Sequence, residues 1–308
     1  MNEGVPDRSS SAAVPKGGQV TETVLPLAQK AAQLLAERGF ENARLESELL
    51  LAHVLQIKRL DLYLQFERPL NNRELEAFRA AVRRRLKHEP LQYIVGSAAF
   101  RHIELVVDRR VLIPRPETEV LVGCAIQWAR QQGGVAAALD IGTGSGAIAL
   151  SLAHEKAAAH VVATDISEAA LEVARANAQR LALAERVDFR AGPVWQAVQA
   201  GEVFDIVISN PPYIAPEERT SLQPEVRDWE PAAALFAEAQ GLAVIREIAA
   251  GAPVHMRPRG LLALEVAPTQ AEAVAGELRA AGYFEDVQVV RDLAGRDRIV
   301  TAVRKADR

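Results

Sequence analysis

From residue 136 onward the chain alternates short apolar runs with helical stretches, and that alternation limits the fold more than any other feature. Runs at 136–141, 160–165, 186–190, 204–209 and 260–266 read as strands, while 145–155, 168–181, 238–251 and 270–281 carry helical spacing. Strands joined by helices pair in parallel, because each crossover must return the chain to the edge where the previous strand began. The expected fold class is therefore α/β, a largely parallel sheet covered by helices on both faces. Two further strands, 287–290 and 299–303, flank the polar turn Asp292–Asp297.

The sequence before residue 120 has a different texture. Residues 1–20, rich in Gly, Ser, Pro and Ala, read as a disordered tail. Residues 21–90 read as a small helical domain. Leu25, Ala28, Ala32 and Leu35 share one face of a first helix stopping at Gly39, Leu45, Leu49, Ala52 and Leu55 repeat the spacing, and a third helix runs over 73–87. The basic cluster Arg83, Arg84, Arg85 and Lys87 reads as a solvated helix face. Residues 91–119 form a linker in which 105–107 and 111–113 are expected to pair as a hairpin. Residues 120–308 then make up the α/β domain.

Bulk numbers narrow the function classes. With 308 residues, 49% of them hydrophobic and 25% charged, the chain is long enough for two globular domains. Its net charge of −4 argues against a general nucleic-acid binder, which carries a basic excess. The single Cys124 excludes an intrachain disulfide and sits in an apolar stretch as a small core side chain. The first twenty residues lack the basic start and apolar core of a secretion signal, and no apolar run approaches the ~20 residues that span a bilayer. A cytoplasmic monomer without membrane contact is expected.

Two motifs carry chemistry. The first is Asp140-Ile141-Gly142-Thr143-Gly144-Ser145-Gly146-Ala147, a strand, a glycine turn and a helix start. Gly142, Gly144 and Ala147 also satisfy the dinucleotide fingerprint, so the turn alone is ambiguous. Asp165 ends the next strand, where a carboxylate accepts from ribose hydroxyls. Asp140 beside the turn would repel a pyrophosphate and favours a cationic ligand without phosphate. S-adenosylmethionine, a nucleoside carrying a sulfonium and an ammonium, fits that set.

The second motif is Asn210-Pro211-Pro212-Tyr213, directly after the strand 204–209. Each proline fixes its own φ and biases its predecessor toward extended backbone, giving a stiff corner at the end of the sheet where ligands bind. Such a corner offers an amide oxygen, fixed carbonyls and a ring to a planar NH2 group. An adenine amine or a carboxamide meets that description.

With Val111–Glu119, Asn210–Tyr213, Pro224-Glu225-Val226, Trp229-Glu230-Pro231, Gly260-Leu261-Leu262, Glu265, Gln270, Asp292–Gly295 and Asp297-Arg298, the chain resembles the bacterial peptide chain release factor glutamine methyltransferases over about residues 24–303. The resemblance implies a seven-stranded, Rossmann-like class I methyltransferase domain joined by a hairpin to a helical substrate-binding domain. It implies S-adenosylmethionine as donor, S-adenosylhomocysteine as product, and the Gln of a Gly-Gly-Gln loop in release factors as acceptor. It also implies cofactor contacts from Asp140, Gly142, Thr143, Gly144, Ser145, Gly146, Asp165, Trp195 and Asn210. Asn210, Pro211, Pro212 and Tyr213 would hold the glutamine, with Asn210, Pro211 and Tyr213 serving the reaction. Arg101-His102, Leu105 and Ala267 depart from the family pattern, which puts the shape of the linker in question. A sister family acting on a ribosomal protein glutamine shares the corner but usually lacks the Arg115–Glu119 pattern, and adenine amine methyltransferases remain the other alternative. The tail also holds Gly17-Gly18-Gln19, read as a coincidence of composition.

Overall fold

The computed structural model describes residues 22–306, so the tail and its Gly17-Gly18-Gln19 lie outside the described residues. The chain divides into two compact units between Leu86 and Lys87.

The first unit is helical: α1 (Val24–Glu37), α2 (Ala43–Leu55), the single turn α3 (Asp61–Leu64) and α4 (Asn72–Arg85). The buried stripe of α1 is Val24, Leu27, Ala28, Ala31 and Leu35, one position away from part of the expected face. In α2 the difference is larger. Leu45 is exposed, and Ser47, Leu50 and Leu51 point inward instead. The reason is polar: the Ser47 hydroxyl donates to the Ala28 carbonyl at 2.7 Å, which turns that face of α2 toward α1. A capping box between Asn71 and Glu74 starts α4. Arg85, expected on a solvated face, is buried, pairs with Glu46 at 2.6 Å and stacks over Phe40 at 4.1 Å.

The second unit opens with α5 (Leu91–Val95) and an antiparallel hairpin, β1 (Ser97–Phe100) and β2 (Ile103–Val106). This corrects the expected pairing of 105–107 with 111–113. Residues 111–113 form no strand; Val111 and Ile113 are buried irregular backbone, and the Tyr93 hydroxyl donates to the Val111 carbonyl at 2.6 Å. Arg101 makes the hairpin turn with φ +49°. Its guanidinium bonds both oxygens of Glu155 at 2.6 and 2.9 Å and reaches the Glu119 carbonyl at 3.0 Å. Those bonds offset the strain of a left-handed side-chain residue where a glycine is the usual solution.

A helix that the strand and helix pattern leaves out, α6 (Pro116–Gln131), follows, with Pro116 at its first position. Then come β3 (Val135–Ile141), α7 (Ala147–His154), β4 (Ala158–Asp165), α8 (Glu168–Arg180), β5 (Val187–Ala191) and β6 (Phe204–Ser209). After the short α9 (Pro224–Trp229) and α10 (Ala232–Leu235) the chain completes α11 (Ala243–His255), β7 (Met256–Glu265), α12 (Ala271–Ala280), β8 (Phe284–Arg291) and β9 (Asp297–Arg304).

The sheet has seven strands in the order β5-β4-β3-β6-β7-β9-β8, parallel from β5 through β7, with β9 antiparallel to both of its neighbours. The apolar core on one face is shared with the hairpin, α6, α7 and α8. The core on the other face is shared with α11 and α12. The order reverses between β3 and β6, so the loops after these two strands diverge and leave a crevice at their C-terminal ends. Among the described residues no helix is long and apolar enough to cross a membrane.

Candidate functional site

Strand register lines up the site. Ile141 pairs with Thr164 on one side and Ser209 on the other, and Ser209 pairs with Leu264. The next residue on each strand therefore forms a row across the sheet's edge: Asp165, Gly142, Asn210 and Glu265. Neighbours in such a row are roughly 4.8 Å apart, the spacing of hydrogen-bonded strands. The Ser209 hydroxyl, donating to the Ile141 carbonyl at 2.6 Å, locks the two central members together.

The glycine turn leaves β3 with Gly142, Gly144 and Gly146 all at positive φ. Backbone bonds from Gly142 and Thr143 to the Thr164 carbonyl, at 2.8 and 2.9 Å, hold it against β4. A methyl group on Gly142 or Gly144 would meet nothing within 4 Å, so the backbone there faces open space that a side chain would fill. Asp140 is fully buried beneath the turn. Its Oδ2 accepts from the Thr143 hydroxyl at 2.7 Å and from the Ala149 amide at 3.1 Å, while its buried Oδ1 has no partner among the described residues. Burial, with the nearby Asp165 charge adding to it, pushes the Asp140 carboxyl up to about 7. An orphaned buried carboxylate oxygen beside an open glycine cradle suits a cationic ligand, so the residues fit the sulfonium cofactor.

Asp165 accepts from the Gly144 amide at 2.9 Å and the Ser167 amide at 2.8 Å, and its burial raises it from the ordinary carboxylate value. Its backbone carbonyl takes the Gly192 amide at 2.9 Å. The loop so anchored carries Trp195 three residues on. The Trp195 ring stacks on His255 at 4.7 Å and its Nε1 donates to the Glu247 carbonyl at 2.9 Å, so the ring lies against α11. No hydrogen bond joins it to the glycine turn.

At the corner, the Asn210 side-chain nitrogen donates to the Thr118 hydroxyl oxygen at 3.0 Å, and that hydroxyl donates to Glu265 Oε2 at 2.7 Å. The Asn210 Oδ1 and the carbonyl of buried Pro211 accept no hydrogen bond from the described residues. Two acceptors on consecutive residues are thus left for an outside donor. Tyr213 has its hydroxyl 3.4 Å from Glu265 Oε1 and Arg298 5.4 Å from its ring centre, and burial pushes its phenol up to about 12. It stays protonated at neutral pH.

Several residues that shape the corner have no role in the sequence reading. Thr118 and Gln270 fall in the family-like stretches, where the sequence gives neither a role. Gln270 donates to the Tyr213 and Gln240 carbonyls at 3.0 and 2.9 Å and accepts from the Ala267 amide at 3.0 Å. Gly241, at φ +80°, presses so closely on the Tyr213 carbonyl that a Cβ there would overlap it. Gly241→Ala is therefore expected to cost about 2–5 kcal/mol from left-handed strain and overpacking, read as a lower urea midpoint, and to displace Tyr213. Asn177, buried in mid-helix, bonds both backbone groups of Val106 (2.7 and 3.0 Å) and the Ser145 carbonyl (2.9 Å), tying the glycine turn to the hairpin. The only sequence signal for it is an Asn on an otherwise apolar helix face.

The charged members of the Arg115–Glu119 motif each bond another part of the chain. Arg115 pairs with Glu230 at 2.5 Å, Glu117 with Arg296 at 2.7 Å, and Glu119 accepts the Arg101 amide at 3.1 Å. Cys124 is half-buried on α6, and burial raises its thiol above the ordinary value. No group of three or more His, Cys, Asp or Glu among the described residues could hold a metal ion.

Known proteins resemble the chain in both units. Residues 27–96 match the PrmC N-terminal domain and residues 125–226 the methyltransferase small domain. The catalytic domain of hMettl16 shares the fold at TM-score 0.53 and 17% identity, over 65% of this chain and 75% of that one. A methyltransferase from Pyrococcus furiosus does so at TM-score 0.50 and 19% identity, over 66% and 89%. The release factor glutamine methyltransferase of Chlorobaculum tepidum is 44% identical over 90% of this chain and 95% of its own length. That of Geobacter sulfurreducens is 44% identical over 86% and 91%. The chain therefore belongs to the release factor glutamine methyltransferase family.

Proposed function

We propose that this protein methylates the side-chain amide nitrogen of the glutamine in the Gly-Gly-Gln loop of a peptide chain release factor, in the cytoplasm and as a monomer. The observation that carries the reading is the Asn210–Pro211 pair of unpaired acceptors, one strand away from the cradle that fits S-adenosylmethionine. When bound, the cofactor supplies an electrophilic methyl group on a sulfonium.

Asp140, the turn Gly142-Thr143-Gly144-Ser145-Gly146, Asp165 and Asn210 would hold that cofactor. Trp195, whose loop hangs from Asp165 through Gly192, would border its nucleoside end. An amide nitrogen is a weak nucleophile because its lone pair is shared with the carbonyl, and no side chain at neutral pH removes its proton outright. What the protein supplies is position and charge. Asn210 Oδ1 and the Pro211 carbonyl each accept one N–H of the substrate amide, which aims the nitrogen and stabilises positive charge growing on it. Pro212 stiffens the corner, and Tyr213 packs against the amide plane. Two acceptors suit the two N–H donors of a carboxamide and reject a carboxylate, which has none to give.

The helical unit is assigned to gripping the protein substrate, since one side chain offers too little surface for selection. A hydrogen-exchange map of the complex should show protection in residues 22–86; its absence there would remove that role. The decisive assay supplies methyl-labelled S-adenosylmethionine with a release factor, a ribosomal protein or DNA in separate reactions. Label is expected on the release factor glutamine, located by peptide mass. Label on DNA or the ribosomal protein alone would overturn the reading.

A further inference from the structure

We infer that Glu265, acting through the Thr118 hydroxyl, is a positioning residue that sets which end of the Asn210 amide faces the substrate. The inference rests on the proposed reaction and adds to it a device that no acceptor role for Asn210 requires.

The argument is one of proton counting. A threonine hydroxyl has a single proton to give. In the structure it goes to Glu265 Oε2, at 2.7 Å, which leaves the Thr118 oxygen to accept from the Asn210 NH2, at 3.0 Å. The amide nitrogen is thereby spent, and Oδ1 is turned outward as an acceptor. Protonate Glu265, and the direction of the chain can reverse. The neutral carboxyl donates to the Thr118 oxygen, the Thr118 proton goes to Asn210 Oδ1, and the amide presents its NH2 to the substrate. Two NH2 groups cannot hydrogen-bond one another, so the reversed corner repels a carboxamide nitrogen.

The groups facing Glu265 come from three elements. From α6 come Thr118 and the like charge of Glu117, from the corner Tyr213, and from β9 the Arg298 guanidinium. Burial dominates them and raises the carboxyl to about 7, despite the opposing pull of Thr118 and Arg298. Register places Glu265 next to Asn210 in the row, so the control reaches the corner through one hydroxyl.

The test joins turnover to a spectroscopic signal that needs no methylation. The Asn210 side-chain NH2 resonances, assigned by their loss in Asn210→Ala, are followed from pH 5.5 to 8.5 in the full chain. They should titrate near 7 in the wild type, and kcat should fall along the same limb as pH drops. Thr118→Val should flatten both profiles and lower kcat by ~10-fold or more, in line with a lost positioned acceptor. Thr118→Ser, which restores the hydroxyl, should return both. Glu265→Gln, a fixed neutral donor, should hold kcat low at every pH. Binding of S-adenosylhomocysteine should change little in either Thr118 variant, which verifies that each is folded. Equal losses in Thr118→Val and Thr118→Ser, or a resonance titration that survives Thr118→Val, would overturn the relay. If instead the wild type methylates no release factor while the resonances titrate as described, the proposed reaction falls and the relay stands.

Discussion

Asn210→Ala is expected to lower kcat for release factor methylation by on the order of 10²–10³-fold, the usual cost of removing one preorganised partner of a developing charge. The substitution deletes the Oδ1 acceptor and leaves the Thr118 hydroxyl bonded to Glu265, so the fold should survive. Cofactor affinity should change far less than turnover, because Asp140 and the glycine turn remain in place. Rapid-quench measurement of methyl transfer, with S-adenosylhomocysteine binding as the control for folding, separates the two. Turnover within a few fold of wild type would remove Asn210 from the reaction. Asn210→Asp is less diagnostic, since it keeps an acceptor while adding a charge that the sulfonium also attracts.

The second large effect concerns pH and the cofactor. In the free protein the Asp140 carboxyl sits at about 7 because burial penalises its charge. Below that pH it is neutral and gives a cationic ligand no countercharge. Affinity for S-adenosylmethionine should therefore fall as pH drops through 7, by up to ~10-fold per unit, and level off above it. Asp140→Asn should remove this limb and weaken binding at pH 8 on the order of 10²-fold, the cost of losing one partner of a buried charge pair. The same raised carboxyl has the opposite effect on the ligand-free fold. Its contribution to stability is whole below the unfolded value of about 4 and is lost as pH rises toward 7, so the free protein should melt lower at pH 8 than at pH 6. Asp140→Asn should shrink that difference. Titration calorimetry and thermal melts at these pH values check both halves, and a pH-independent affinity in the wild type would sink the assignment.

The α/β core is legible because its periodicities are long and separate. Apolar runs such as Phe204–Ile208 sit between polar loops, and β3 to β6 fall within two residues of where the pattern puts them, whereas β7 starts at Met256 rather than 260 and α11 runs over Ala243–His255 rather than 238–251. The linker is not legible for a physical reason. Leu105-Val106-Val107 and Val111-Leu112-Ile113 look alike as strand formers, whereas β1, Ser97-Ala98-Ala99-Phe100, has little strand propensity, and its turn lacks the glycine that marks a hairpin. What selects the true pair is long-range: Phe100, Ile103 and Leu105 bury themselves in the core of the sheet, and Arg101 finds Glu155. The α2 register fails in the same way, since the Ser47 bond to Ala28 outweighs a choice between equivalent leucine stripes.

At the site, residues in local motifs are legible and their partners are not. The glycine turn, Asp165 and Asn210–Tyr213 each announce themselves within a few residues. The bonds that orient them span 92 residues from Thr118 to Asn210 and 147 from Thr118 to Glu265. No periodicity reports on such a separation. That Gln270 and Gly241 brace the Tyr213 carbonyl is hidden for the same reason.

In the proposed reaction the donor's cradle and the acceptor's corner hang from adjacent hydrogen-bonded strands, so the gap between them would be a lattice constant of the sheet. Breathing of loops or swings of either helical layer would leave that pitch untouched. The penalty is intolerance of reach: a homologous side chain one methylene longer at position 210 would overshoot a distance that the backbone cannot readjust.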